Sequence, residues 1–228
     1  MSHGTLWAEL LAYGSGISLS PIHIGLLLLL LLGPNPLRRG GLFVLSWMVT
    51  ITATLVVLLT VGHSLLLTME QGSSHRTGLD LLGAGALLAL GLRELLERRE
   101  EGQEPPGWTR QLDRLCAMPL PLLLGASCAI EVVSPDDLFL FAKAASALLA
   151  NGLNRAQEVL FTAGFTLAAS LALLLPFSAV LVGRTQVLPL LERGKQLLFA
   201  RGDLLVGGLS LVLAGYLGWQ GIEGLQLS

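Results

Sequence analysis

Apolar residues run along this chain in long, nearly unbroken stretches, with no alternation of polar and apolar positions. An α-helix needs about 20 such residues to cross the hydrocarbon of a bilayer. Six stretches qualify, at residues 6–32, 42–67, 79–96, 119–150, 158–182 and 203–222. The first and fourth are long, and each carries a proline near its middle, Pro21 and Pro135. The third and sixth are rich in small residues (Gly83, Ala84, Gly85 and Gly91; Gly207, Gly208, Ala214 and Gly215). Small residues let helices pack closely in lipid. The pattern predicts an all-α membrane protein with six transmembrane helices.

Composition agrees. Only 13% of the 228 residues are charged, and mean hydropathy is +0.70. A soluble domain carries about 25% charged residues. Disorder needs the opposite balance, and an outer-membrane barrel needs alternating segments. The net charge of −2 leaves no basic footprint for nucleic acid. The N-terminus has no Lys or Arg ahead of its apolar stretch, so no cleavable signal peptide is expected. Cys116 and Cys128 match no zinc spacing and form no CxxC motif. No nucleophile–base pair, phosphate loop or zinc-protease motif appears. Neither an enzyme nor a metal or other cofactor is expected.

Basic residues set the orientation. Of the fourteen, eleven lie in the connections after spans one, three and five, including Arg38, Arg39, Arg98, Arg99 and Lys195. Arg76 and Arg155 occupy the other connections, and Lys143 lies within span four. Positive charge marks the cytoplasmic side, which predicts both termini outside the cytoplasm. The longest connection, 97–118, begins with a mixed charge run. It continues through Trp108, Leu112 and Leu115 at helical spacing, read as an interfacial helix.

The second half of the sequence resembles the first, with reversed sense. Ser20-Pro21 in span one aligns with Ser134-Pro135 in span four. Arg39 before span two aligns with Arg155 before span five, and Asp80 opening span three with Asp203 opening span six. A unit of three spans must cross the membrane oppositely in its two copies. The expected organisation is a first three-helix repeat at 1–100, a cytoplasmic linker at 101–118 and a second repeat at 119–228. Helices one and four would be broken at their prolines, because proline removes a backbone hydrogen bond and clashes with the preceding turn. Paired breaks of this kind point to a binding site between the repeats of a secondary transporter.

The same spans hold the ionisable residues. Glu131, Asp136, Asp137 and Lys143 lie within thirteen residues of span four, where each charge costs roughly 2.5–3.5 kcal/mol on insertion scales. Asp136 and Lys143 are two helical turns apart and suit a pair. His23 and Asp137 each follow a proline by two residues, so the repeat axis brings them to equivalent places. A histidine facing a carboxylate can exchange a proton near neutral pH. The expected transport site therefore comprises Ser20, Pro21, His23, Glu131, Ser134, Pro135, Asp136, Asp137 and Lys143. In this reading Asp136 caps the restarted helix and Asp137 carries the functional charge.

Several segments are similar to a known family. Leu10-Leu-Ala-Tyr-Gly-Ser-Gly-Ile-Ser-Leu-Ser-Pro21-Ile with its leucine run, the turn at 33–39 leading to Leu42-Phe-Val-Leu-Ser-Trp47, and Pro105-Pro106-Gly107-Trp108 resemble the GAP family. This is the sulfolipid- or peptidoglycolipid-addressing branch of the LysE transporter superfamily. The resemblance implies inverted three-helix repeats, a bacterial inner (or thylakoid-type) membrane, and export of a small solute or lipid. The family's Asn-Pro-Lys type motif reads Ser134-Pro135-Asp136-Asp137 here, acids in place of a base. Disulfide-conducting proteins of similar architecture need a cysteine in spans one and four, and span one has none. The partners expected are the bilayer, a small solute or lipid, and a second copy or a membrane-complex subunit. Two other functions fit the same residues: a non-transporting subunit or assembly factor, and a cation transporter favoured by the acidic cluster.

Overall fold

The structure is a computed structural model that describes residues 3–64, 74–96, 112 and 114–227; at Ser64, Ser74, His75, Arg76, Glu94, Pro135, Asp136, Arg184, Thr185, Asp203, Leu205, Val206 and Leu227 it describes the backbone alone. Among these residues the secondary structure is helical throughout, with no strand. In chain order the helices are α1 (His3–Ser18), α2 (Pro21–Leu32), α3 (Pro36–Ser64) and α4 (Ser74–Leu96). After the 97–118 connection come α5 (Leu120–Val133), α6 (Pro135–Ala150), α7 (Arg155–Gly183) and α8 (Leu188–Leu227). A short 3-10 turn, Arg184–Val187, joins the last two. Of the expected interfacial helix, Leu112, Arg114 and Leu115 are described; all three are helical, with both leucines buried and Arg114 exposed.

Helices α3 and α7 are long and apolar enough to cross a membrane, with mean hydropathy of 2.4 and 2.2. The α1–α2 pair bends by 60°, and α8 bends by 66° between Leu188–Gly202 and Gly207–Gln226. The protein is thus a membrane protein, with two continuous spans among the described residues, or up to four when each bent pair counts as one. The bend in α8 is at Arg201, whose φ of −134° and ψ of 16° leave the helical region.

One element differs from the expectation. The basic stretch before span six, read as a loop, is the helical first limb of α8. Its apolar residues are spaced for one face: Leu191 and Leu198, seven apart, are both buried. On its surface Glu192 and Lys195 pair at 2.7 Å, one turn apart. This helix carries too many charges to register as a span and too regular a stripe to be a loop.

Packing follows the sequence's small residues. Leu6, Leu10, Tyr13 and Ile17 form a fully buried stripe on α1. Helix α1 lies along α7 because position 14 is glycine: a Cβ there would sit 2.9 Å from Ala168 Cβ and 3.1 Å from the Ala169 nitrogen. The two glycine-rich helices, α4 and α8, pack on each other antiparallel, with Gly224 beside Thr77 and Gly207 beside Gly91. At that crossing a Cβ on Gly207 would lie 3.2 Å from the Gly91 carbonyl oxygen. Helices α3 and α7 are also antiparallel, joined by Trp47 Nε1 donating to Ala169 O at 3.2 Å and by Thr52 and Thr166 hydroxyls 3.0 Å apart.

Candidate functional site

The two Ser-Pro steps break their helices in the same way. Pro21 has no N–H to donate back into α1, so Ser20 N–H reaches Ile17 O instead, at 3.3 Å. The new helix starts with Ile24 N–H donating to Ser20 O at 3.0 Å. At the second step Ser134 N–H donates to Ile130 O at 3.0 Å and Leu138 N–H to Ser134 O at 2.9 Å. The serines share a conformation, φ −59° and ψ 113° at Ser20, φ −62° and ψ 116° at Ser134. That extended geometry is what a following proline imposes. Neither serine side chain caps the new helix.

Ser20 is turned to another purpose. Its Oγ lies 2.9 Å from His23 Nδ1. The other ring nitrogen, Nε2, is 3.3 Å from the backbone oxygen of Ser127 in α5. A carbonyl only accepts, so Nε2 carries the proton and Nδ1 accepts from the serine hydroxyl. Glu131 Oε2 is 3.8 Å from the same Nδ1. His23 is 1% exposed and Glu131 fully buried. The His23 ring lies against Trp47, with centroids 4.2 Å apart. A second proton on the imidazole must go to Nδ1, beside the carboxylate. The geometry thus sets a buried carboxylate beside the ring nitrogen that carries no proton.

Among the described contacts of His23, the carboxylate is Glu131, from the helix before the second break; the sequence pointed to Asp137, after it. Asp137 is buried at the start of α6. The Asp136 side chain lies outside the described residues. Pro21 and Pro135 open α2 and α6 as first-turn prolines.

A second polar group sits further along α6. Lys143, fully buried, is hydrogen-bonded and ion-paired to Asp80 of α4, which is 2% exposed. The spacing on α6 pointed to Asp136 as the lysine's partner; the partner described is an acid 63 residues earlier. Lys143 Nζ is 5.7 Å from the centre of the Tyr13 ring. Tyr13 OH donates to Gln220 Oε1 at 3.0 Å. Gln220 Nε2 donates to Tyr216 OH at 3.0 Å and to Glu9 Oε1 at 3.4 Å. Glu9 is itself buried. Four helices, α1, α4, α6 and α8, meet in this network.

Sequence reading named Asp80 only as a mark of the repeat and did not single out Glu9, Tyr13 or Gln220. Glu9 carried a usable signal, an acid inside an apolar stretch. Tyr13 and Gln220 carried none. No group of three or more His, Cys, Asp or Glu able to hold a metal occurs among the described residues. Ser46 and Thr50 hydroxyls lie 3.1 and 2.9 Å from the Cys128 sulfur, and neither Cys116 nor Cys128 is in a disulfide.

Broken apolar helices whose interior buries histidine, carboxylates and lysine define a helical membrane protein with a polar interior site. The chain belongs to the SfLAP family, described as Sap, sulfolipid-1-addressing protein, whose match covers residues 10–223. This is the addressing branch that the first-span residues resemble. No curated protein and no solved structure matches the chain.

Proposed function

We propose that the protein is a proton-coupled secondary transporter that exports a small solute or lipid across a bacterial inner membrane. It is a carrier of the LysE superfamily type and not an enzyme. The observation that carries this reading is the contact of His23, just after one helix break, with Ser127 and Glu131, just before the other. Charges held at such depth cost energy in lipid and are retained where they serve a pathway. Proton transfer between Nδ1 and Glu131 changes the attraction between α2 and α5. That gives the two broken helices a reason to move against each other as the proton comes and goes.

The six-span arrangement belongs to this proposal. Helices α3 and α7 would be equivalent, as would α4 and α8, and each of these pairs runs antiparallel, as inverted repeats require. The two Ser-Pro breaks have matching backbone conformations. The distribution of basic residues supports an orientation with both termini outside the cytoplasm. The family's description names a sulfolipid, so a sulfated glycolipid is the first substrate to offer.

The test is flux in proteoliposomes. An imposed pH gradient should drive movement of a labelled sulfated glycolipid, with proton entry read by an enclosed pH dye. Glu131→Gln should abolish proton-coupled movement in protein that still purifies as a folded species. Equal coupled flux in Glu131→Gln and the parent would overturn the assignment. Parent protein inert toward solutes and lipids, copurifying with a stoichiometric membrane partner, would favour the subunit function.

A further inference from the structure

Away from the polar interior, α3 and α7 enclose a cleft of about 990 Å³ on their outward side. Its rim residues, among them Val56, Val159 and Leu167, are exposed apolar side chains. Its floor includes Thr52 and Thr166, whose hydroxyls face each other at 3.0 Å; Thr52 also donates to Met48 O at 2.9 Å. Their hydrogen-bonding capacity is directed into the wall, so the floor suits an apolar chain. The cleft runs from Met48 to His63 along α3, about 22 Å of helix. That is most of the roughly 30 Å hydrocarbon thickness. At the far end of the same helix pair Phe177 packs on Gly41, where a Cβ would be 3.2 Å from the ring.

The open end is charged. His63 and Glu158 face each other at 3.7 Å. Arg155, the first residue of α7, also lines the cleft, is exposed, and makes no ion pair among the described residues. An arginine at the end of an apolar groove matches an amphiphile with an anionic head, since its planar fork binds phosphate or sulfate oxygens in pairs. A membrane-spanning helix pair exposes such a groove to lipid, whose chains are the apolar species at hand.

We propose that the α3–α7 groove binds one anionic lipid from the surrounding leaflet, with an acyl chain along the groove and its phosphate or sulfate at Arg155. The site is separate from the His23–Glu131 group, and occupancy requires no transport. It therefore stands or falls independently of the proposed function.

The experiment uses the full chain in phosphatidylcholine nanodiscs doped with phosphatidylglycerol that carries a photoreactive group near its acyl terminus. Cross-links should concentrate on the groove residues of α3 and α7. Arg155→Gln should lower the yield about tenfold, the loss expected of a charge-assisted hydrogen-bonded contact. Ala163→Trp, on the exposed rim, should block labelling while thermal unfolding stays as in the parent. An unlabelled sulfated lipid should compete and free inorganic phosphate or sulfate should not. Labelling spread evenly over the lipid-facing helices, or unchanged in both variants, overturns the proposal. So does equal competition by the free anion, which reduces the mouth to an anion site, or a groove-to-groove cross-link between two copies of the chain.

Discussion

The molecule keeps two buried polar groups that are built on different terms. Around His23 the contacts are spaced: 2.9 Å to Ser20, 3.3 Å to Ser127 and 3.8 Å to Glu131, with one nitrogen available for a second proton. Around Lys143 the ion pair with Asp80 is in close contact, and the nearby Tyr13–Gln220 chain reaches Glu9. The first group joins the two broken helices beside their breaks. The second joins the middle of α6 to α4, the helix that packs along α8. The first holds its carboxylate at a distance, and the second holds its charges in contact. In the proposed transporter the first group would be the switch and the second the fastening, in different places.

That contrast breaks most visibly at the fastening. Asp80→Asn removes one counter-charge of buried Lys143, which should cost up to about 3–5 kcal/mol. Thermal unfolding in detergent should show a large loss, or the protein should fail to accumulate. Removing both charges in Asp80→Leu with Lys143→Met should recover much of it, as replacement of buried pairs by apolar residues often does. A double variant as unstable as the single one would mean that the pair is not an isolated fastening.

The switch should respond differently. Glu131→Gln keeps shape and removes the charge, so proton-coupled flux should vanish while the melting temperature moves far less than in Asp80→Asn. Asp137→Asn sharpens the assignment: proton exchange at His23, followed by infrared difference spectroscopy of the carboxylate bands, should persist in it and disappear in Glu131→Gln. The opposite result would return the functional charge to Asp137. The smallest effects belong to single hydrogen bonds. Ser20→Ala and Tyr13→Phe should each cost about 0.5–1.5 kcal/mol. Only Ser20→Ala should also shift the pH profile of flux, because only it touches the titrating nitrogen.

Much of this was legible in the sequence because it is local. A proline within an apolar run breaks the helix wherever the helix goes, so Pro21 and Pro135 mark their breaks without knowledge of the fold. Glycine-rich runs announce close packing, and α4 and α8 meet through theirs. Partnerships between distant residues were not legible. Lys143 finds Asp80 and His23 finds Glu131 because of how far each helix slides and rotates on its neighbour. The Leu188–Gly202 limb was missed for another reason: its charges hid a stripe that only Leu191 and Leu198 define.

The indole of Trp47 lies 4.2 Å from the imidazole of His23. A cation that close to an aromatic face is attracted to it, and an imidazolium also withdraws electrons from an excited indole. Arrival of the proton at Nδ1 should therefore dim the emission of that tryptophan. Trp7 and Trp219 report from other surroundings, Trp7 against Phe161 and Trp219 on an exposed face. Under the proposed mechanism, a chain retaining Trp47 as its single fluorophore would carry its own optical gauge of site occupancy, readable in a cuvette without dye, label or substrate.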